Sequence, residues 1–259
     1  MTDLRGKGAV VTGGGRGIGA ATGRALAEAG ARVVLAARSL AQIEAVAAEL
    51  RAAGQEAWAV GCDVTDPEQV QRLAGAAAEK LGQIDILVNN AGIATSAPLR
   101  SVSLEEWNRI FAVNVTGTFL STQAMLPGML HRRWGRVVNV ASIAGKVGAA
   151  YITTYTASKH AVVGFTRALA LEVATSGVTV NAVCPGYVDT PLTDGSVDRM
   201  VRKTGQAPEA IRERLRQMSP QQRIFTPQEV AYLIVALCDA RAGGVNGQAI
   251  PLDGGAVQS

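Results

Sequence analysis

Gly8-Ala9-Val10-Val11-Thr12-Gly13-Gly14-Gly15-Arg16-Gly17-Ile18-Gly19-Ala20 joins an apolar run to a glycine-rich turn and then to an Ala-rich helical stretch that continues to Ala29. Residues 8–12 lack the polar alternation of a half-solvated strand, so they read as a strand covered on both faces. Glycines in the turn let the backbone bend sharply and approach phosphate oxygens. A helix starting there presents free N–H groups and the positive end of its dipole. The strict G-x-G-x-x-G spacing is not met, but its alanine-ended form is, at Gly15, Gly17 and Ala20. Alone, such a turn is only a bend between strand and helix. Its place after the first strand of a β-α-β unit points to a dinucleotide.

The same alternation runs outward along the chain. Further strands are expected at 32–36, 57–60, 84–88, 135–141, 178–183 and 248–252, with helices at 17–29, 40–53, 67–81, 104–130, 153–175 and 227–237. Apolar strands that each lead into a helix imply an α/β architecture: a doubly wound parallel sheet of about seven strands, with helices on both faces. No Pro/Ser/Gly tract or repeat divides residues 1–259, so a single domain is expected. Only 186–226 interrupts the pattern, with charged, irregular sequence that reads as a substrate loop or lid.

Composition removes other classes. The 259 residues carry a formal net charge of +4, are 48% hydrophobic and only 18% charged, and the basic residues are scattered, which gives no nucleic-acid footprint. Cys62, Cys184 and Cys238 are far apart and there are two histidines, so neither a disulfide framework nor a structural metal site is expected. The longest apolar runs are strand-sized and the N-terminal residues are polar, so neither a membrane span nor a signal peptide is expected, and a cytoplasmic location is.

The end of the second strand bears on which dinucleotide binds. A carboxylate there would take the adenosine ribose hydroxyls and favour NAD. The chain has Ala36-Ala37-Arg38-Ser39 instead. Arg38 suits a 2′-phosphate, and Arg16 in the turn supplies a second cation, so NADP(H) is expected over NAD(H). Asp63, with Val64 beside it, is placed to accept from the adenine amino group, while Thr65 and Asp66 are better placed to cap the following helix. Asn89-Asn90-Ala91-Gly92 ends the fourth strand on the edge where ligands sit in such sheets. The expected cofactor contacts are therefore Gly13, Gly15, Arg16, Gly17, Ile18, Gly19, Arg38, Asp63, Val64, Asn90, Ala91 and Gly92.

Tyr155 and Lys159 are spaced i, i+4 on one helix face. A phenol ordinarily ionises near pH 10, and a neighbouring ammonium favours the phenolate, so the pair is expected to make a general acid/base with a lowered pKa. Ser142, at a strand end, is placed to bond a substrate oxygen. Asn114, a polar amide within apolar helical sequence, needs a partner and is placed to hold a water that connects Lys159 to solvent.

With these residues in view, the chain resembles the short-chain dehydrogenase/reductase family over essentially its whole length. The resemblance is carried by Thr12-Gly13-x-x-x-Gly17-x-Gly19, Asn89-Asn90-Ala91-Gly92, Asn114, Ser142, Tyr155-x-x-x-Lys159, and Pro185-Gly186 with Thr190. It implies a Rossmann-type fold and a catalytic tetrad of Asn114, Ser142, Tyr155 and Lys159, with Tyr155 as acid/base and Lys159 also on the nicotinamide ribose. It implies that Pro185, Gly186, Val188 and Thr190 cradle the nicotinamide, that 186–226 closes over substrate, and that the protein is a homotetramer.

Residues 158–166 and 183–191 are similar to 3-oxoacyl-thioester reductases and polyketide ketoreductases, and Phe225-Thr226-Pro227 is similar to D-3-hydroxybutyrate dehydrogenases. Ala94, Ala144 and Ile152 are apolar where those last enzymes grip a free carboxylate, so the expected substrate is an apolar or thioester-linked ketone and its alcohol. An acyl carrier protein or coenzyme A could carry it; Arg132, Arg133 and Arg136 read first as a solvated loop between helix and strand, and second as docking cations for such a carrier. Two alternatives remain: an NAD-linked secondary-alcohol or 3-hydroxyacyl dehydrogenase working oxidatively, and a non-catalytic dinucleotide sensor.

Overall fold

A computed structural model describes residues 2–258. The elements alternate as β1 (Gly8–Thr12), α1 (Gly17–Glu28), β2 (Arg32–Ala37), α2 (Leu40–Ala52), β3 (Ala57–Gly61), α3 (Pro67–Leu81) and β4 (Ile86–Asn89). Then come α4 (Leu104–Phe111), α5 (Gly117–Arg132), β5 (Gly135–Val140), α6 (Thr153–Glu172) and β6 (Val178–Pro185). The chain ends with α7 (Pro191–Thr204), α8 (Pro208–Gln217), α9 (Pro227–Cys238) and β7 (Ala249–Leu252).

The seven strands form one sheet in the order β3-β2-β1-β4-β5-β6-β7, and every pairing is parallel. The winding reverses between β1 and β4, which opens a crevice outside their carboxyl ends. Two apolar layers hold the helices to the sheet. Leu26, Leu35, Ile43 and Ile234 pack on one face, and Leu73, Leu81, Leu87 and Met129 on the other. With so few aromatic residues, burial of branched aliphatics supplies the core, roughly 1.5–3 kcal/mol for each large side chain. No helix among the described residues is long and apolar enough to cross a membrane.

Two expectations about helices are corrected. The single helix expected over 104–130 is broken: a π-helical turn, Ala112–Thr116, separates α4 from α5 and contains Asn114. A π turn inserts an extra residue and re-aims the side chains around it. Residues 186–226 are not irregular throughout, because they form α7 and α8. Thr190 caps α7 by accepting from the Thr193 amide, with Pro191 at the first helical position, and Pro208 opens α8 in the same way. A bridge between Val188 and Phe225 closes the base of this segment. Val197, Ile211 and Leu215 give it a small core of its own.

The basic group that the sequence offered, as a second reading, for docking a carrier lies at the end of the sheet away from the crevice. Arg132 donates to the Ile84 carbonyl, Arg133 to the Thr175 carbonyl, and Arg136 is buried beneath Trp134 at the amino end of β5. That edge is opposite the crevice, and these side chains serve packing and backbone carbonyls.

Candidate active site

The crevice begins at the glycine turn. Gly13 and Gly17 hold φ of +66° and +52°, a region that disfavours side chains. A Cβ at Gly19 would sit 2.1 Å from the Gly13 carbonyl oxygen, so α1 starts directly against the loop. The turn is stitched to β4. The Thr12 hydroxyl oxygen accepts from the Asn90 and Ala91 amides at 3.1 and 3.2 Å, and Asn90 Nδ2 donates to the Thr12 and Gly13 carbonyls, both at 3.0 Å. On the far side a Cβ at Gly17 would lie 3.1 Å from Thr190 Cγ2, so the segment after β6 closes on the turn.

A cleft of about 350 Å³ results. It brings together Gly13, Gly15, Arg16, Gly17 and Ile18 from the turn, Arg38, Asp63 and Val64 from beyond β2 and β3, Asn90, Ala91 and Gly92 after β4, and Thr190. All twelve were expected from the sequence. The cleft also contains Ser39, Gln42, Ile93, Val113 and Leu192, which the sequence reading missed. Ser39 was legible in principle: it sits at the N-cap of α2, where its hydroxyl makes no capping bond and stays free toward the cleft. The apolar residues Ile93, Val113 and Leu192 carry no local signal.

Electrostatics in the cleft are lopsided. The Arg38 side chain is 70% exposed, and its one ion pair among the described residues is with Asp63, at 4.0 Å. One Asp63 oxygen is taken by the amide and hydroxyl of Thr65, leaving the other toward Arg38. Asp66, as anticipated, caps α3 by accepting from the Glu68 and Gln69 amides. A cleft with positive-φ glycines, a free helix start at α2 and two cations at its mouth fits a phosphorylated dinucleotide.

A second cluster lies beyond the lining of this cleft. Lys159 Nζ sits 5.7 Å from the centre of the Tyr155 ring, on the same side of α6, and donates to the Val140 carbonyl at 2.8 Å. Ser142, at the end of β5, interacts with the Tyr155 hydroxyl, lowering its pKa, and its oxygen accepts from the Ala144 amide. The Asn114 amide clamps the chain after Gly92: it accepts from the Ile93 amide at 2.9 Å and donates to the Ile93 carbonyl and to the Ser158 hydroxyl, each at 3.0 Å. Ser158 in turn donates to the Tyr155 carbonyl. Asn114 Oδ1 and Lys159 Nζ lie 3.4 and 3.6 Å from the point a Gly92 Cβ would occupy, so both flank the end of the dinucleotide cleft. The side-chain amide of Asn114 therefore bonds protein groups directly, and its backbone carbonyl accepts from Thr118.

One expectation is reversed here. Tyr155 is not lowered: desolvation pushes its pKa up to about 12, against a smaller opposing effect of Ser142. Lys159 is pushed down to about 8, again by burial. The lysine is anchored to Val140 and no carboxylate offsets its burial, so removal from water dominates both groups. Pro185 and Val188 are buried, Val188 in the core, and neither they nor Gly186 and Gly19 line the cleft. Val188 instead offers its carbonyl to Thr193.

Residues 7–200 match the family model for short chain dehydrogenases. The chain is 39% identical over 255 residues to a D-beta-hydroxybutyrate dehydrogenase of Cupriavidus necator, covering 97% of this chain and 98% of the relative. It is 40% identical over 259 residues to a 3-oxoacyl-acyl-carrier-protein reductase of a Synechocystis species, covering 99% of each. The crystal structure of an actinorhodin polyketide ketoreductase variant with NADPH superposes with a TM-score of 0.94 at 38% identity, covering 99% of both chains.

Proposed function

Because the chain belongs to the short chain dehydrogenase family of oxidoreductases, we propose that it is an NADP(H)-dependent reductase of ketones, acting on a 3-oxoacyl thioester or polyketide-type carbonyl to give a secondary alcohol. The observation that carries the reading is the placement of Tyr155 and Lys159 on one side of α6, with Ser142 against the phenol and Lys159 at the Gly92 end of the cleft. In this reading Arg38, the free Ser39 hydroxyl and Arg16 hold the 2′-phosphate, while the glycine turn and the start of α1 hold the pyrophosphate.

A bound reduced nicotinamide supplies the hydride. The protein supplies the proton. A phenol held at about 12 is fully protonated at neutral pH, so Tyr155 is charged for donation to a carbonyl oxygen steadied by Ser142. Lys159, beside the ring, stabilises the phenolate left behind, and Asn114 fixes Ile93 and Ser158 around it. Thr190 borders the nicotinamide, with Pro185, Gly186 and Val188 backing it rather than lining the cleft, residues 186–226 cover the substrate, and the protein works as a cytoplasmic homotetramer. The NADPH-bound ketoreductase and the 3-oxoacyl reductase among the relatives support the cofactor and substrate class.

The test is a panel of ketones and 3-oxoacyl thioesters followed by NADPH absorbance, with Tyr155→Phe beside the wild type. The variant is expected to bind NADPH normally and lose most turnover. Undiminished turnover in it, or equal efficiency with NADH, overturns the reading.

A further inference from the structure

Both roots of the 186–226 segment converge on the turn that follows β7. The outgoing root leaves β6 through Gly186, whose amide donates to the Leu252 carbonyl at 3.0 Å. A Cβ at Gly186 would lie 3.2 Å from Asp253 Cβ, so this root runs flat against Asp253. The returning root, residues 219–225, meets the same turn from the other side. Ser219 Oγ donates to the Asp253 carbonyl at 3.1 Å. Gly254, at φ +71°, leaves no space for a side chain, because a Cβ there would sit 2.5 Å from Ser219 Oγ. The roots are also tied to each other: the Phe225 amide donates to the Tyr187 carbonyl, and the Asp189 amide to the Phe225 carbonyl.

The Asp253 carboxylate holds the turn in that place. The residue is 4% exposed, and both oxygens are used: one accepts from the Gly255 amide at 3.0 Å and the other from the Val257 amide at 2.8 Å. The other buried acids among the described residues each have a cation. Asp85 lies 3.9 Å from Arg132, and Asp239 lies 2.6 Å from Arg241. Asp253 forms no ion pair among the described residues. A buried carboxylate without a cation is costly unless backbone donors satisfy it, and here two oxygens meet two amides.

The stretch that Asp253 backs reaches the reacting centre. Pro185, one residue before Gly186, offers its carbonyl to the Ser142 hydroxyl at 3.5 Å. Tyr187, one residue after it, bears electrostatically on the Tyr155 phenol. Thr190 lines the cleft and packs against Gly17. A shift at Gly186 therefore moves the chain that borders Ser142, Tyr155 and the glycine turn. The adenine end, with Arg38 and Asp63, is built from other elements.

We propose that Asp253 is a positioning residue for hydride transfer: by fixing the turn at 253–257 it sets where Pro185, Tyr187 and Thr190 stand around Ser142, Tyr155 and the nicotinamide. It acts through Gly186 and Ser219 and is itself no part of the cleft lining. This rests on the ketone-reductase reading and deepens it.

Wild type, Asp253→Asn, Asp253→Ala and Ser219→Ala are compared by hydrogen exchange of peptides, by titration with NADPH and with adenosine 2′,5′-bisphosphate, and by kcat for the N-acetylcysteamine thioester of acetoacetate. Asparagine keeps the shape of the side chain but only one acceptor oxygen. Peptides covering 186–190 and 219–226 are expected to exchange faster in all three variants, while those covering 8–20 keep wild-type rates. The NADPH Kd rises about threefold to tenfold, the worth of one hydrogen bond, and the Kd of the bisphosphate, which lacks the nicotinamide, stays within about twofold. The kcat falls about tenfold to a hundredfold, as a displacement of about 1 Å at a reacting centre costs, with Asp253→Asn milder than Asp253→Ala.

Faster exchange with wild-type kcat makes Asp253 an anchor for the end of the chain alone and overturns the proposal. An equal loss of affinity for both nucleotides, or faster exchange along the whole chain, overturns it as well. If the Asp253 variants do not fold, Ser219→Ala decides, because it loosens the same joint and leaves the carboxylate in place; wild-type kcat and NADPH affinity in that variant end the proposal. If the wild type does not reduce the thioester, the ketone-reductase reading fails on its own, and the two titrations decide Asp253. Selective loss of NADPH affinity sustains its role, and equal or absent loss ends it.

Discussion

Replacing Lys159 with methionine is expected to remove turnover while making the fold relatively more stable at neutral pH than at alkaline pH. The side chain is 5% exposed and its ammonium is displaced from 10.5 to about 8, chiefly by desolvation. A displacement of that size corresponds to about 3 kcal/mol, at 1.36 kcal/mol per unit. The sign follows from proton binding. Below pH 8 both folded and unfolded chains hold the proton, and the folded state bears the full cost of a buried cation. Between pH 8 and 10.5 the unfolded chain stays protonated while the folded one does not, so wild-type stability gains from this group as pH rises.

Methionine fills similar volume without the charge and without the bond to Val140. Losing that bond subtracts a roughly constant amount at every pH, about 1–3 kcal/mol for an acceptor left unpaired. The absolute difference at one pH is therefore a poor reporter, but its change with pH is a good one. Urea unfolding of both proteins from pH 7 to 9.5 should show the stability difference moving toward the wild type by about 2 kcal/mol, other titrating groups cancelling. A difference that does not vary with pH would mean that Lys159 titrates as an ordinary surface lysine, and the account of a desolvated amine would be wrong.

If Arg38 meets the 2′-phosphate as proposed, Arg38→Asp should weaken NADPH binding by about tenfold to a hundredfold and leave NADH binding nearly unchanged; fluorescence titration reads both constants. Gly19→Ala forces a Cβ to within 2.1 Å of the Gly13 carbonyl oxygen, so thermal unfolding should show a loss of about 1–3 kcal/mol together with weaker NADPH binding. Asp66→Ala removes the cap of α3 and should cost about 1 kcal/mol by chemical denaturation while the NADPH Kd stays the same.

What the sequence disclosed and what it withheld follow the reach of each interaction. The strands were legible because Val10, Val34, Leu87 and Val138 belong to runs whose burial is written in every neighbour, and the glycine turn because its backbone demands are local. The start of α7 carried readable signals in Thr190-Pro191 and that of α8 in Pro208, obscured by the charged residues around them. The break at 112–116 carried none. Ala-Val-Asn-Val-Thr is unremarkable in a helix, and the π turn coincides with bonds from Asn114 to Ile93 and Ser158, 21 and 44 residues away. The spacing of Tyr155 and Lys159 was legible for the same local reason, but the direction of the tyrosine's pKa was not. The i, i+4 rule sees only the ammonium. The burial that dominates is set by the fold far along the chain, where Tyr187 and Cys184 around β6 add to the rise and the hydrogen bond from Ser142 at the end of β5 opposes it.

In the proposed reaction, the two displacements also account for how one site holds a neutral phenol at rest and releases its proton on demand. Burial works against any lone charge, so an isolated phenolate at Tyr155 is disfavoured and the resting group stays neutral. It equally weakens the proton on Lys159, which at about 8 still keeps it near pH 7. Once Tyr155 gives up its proton, the new phenolate faces an ammonium across a medium that screens poorly, and the attraction between them is far larger than it would be in water. The same dryness that opposes either charge alone therefore favours the pair. That argument requires the lysine to be held rigidly beside the ring rather than reaching for solvent, which is what its bond to the Val140 carbonyl provides.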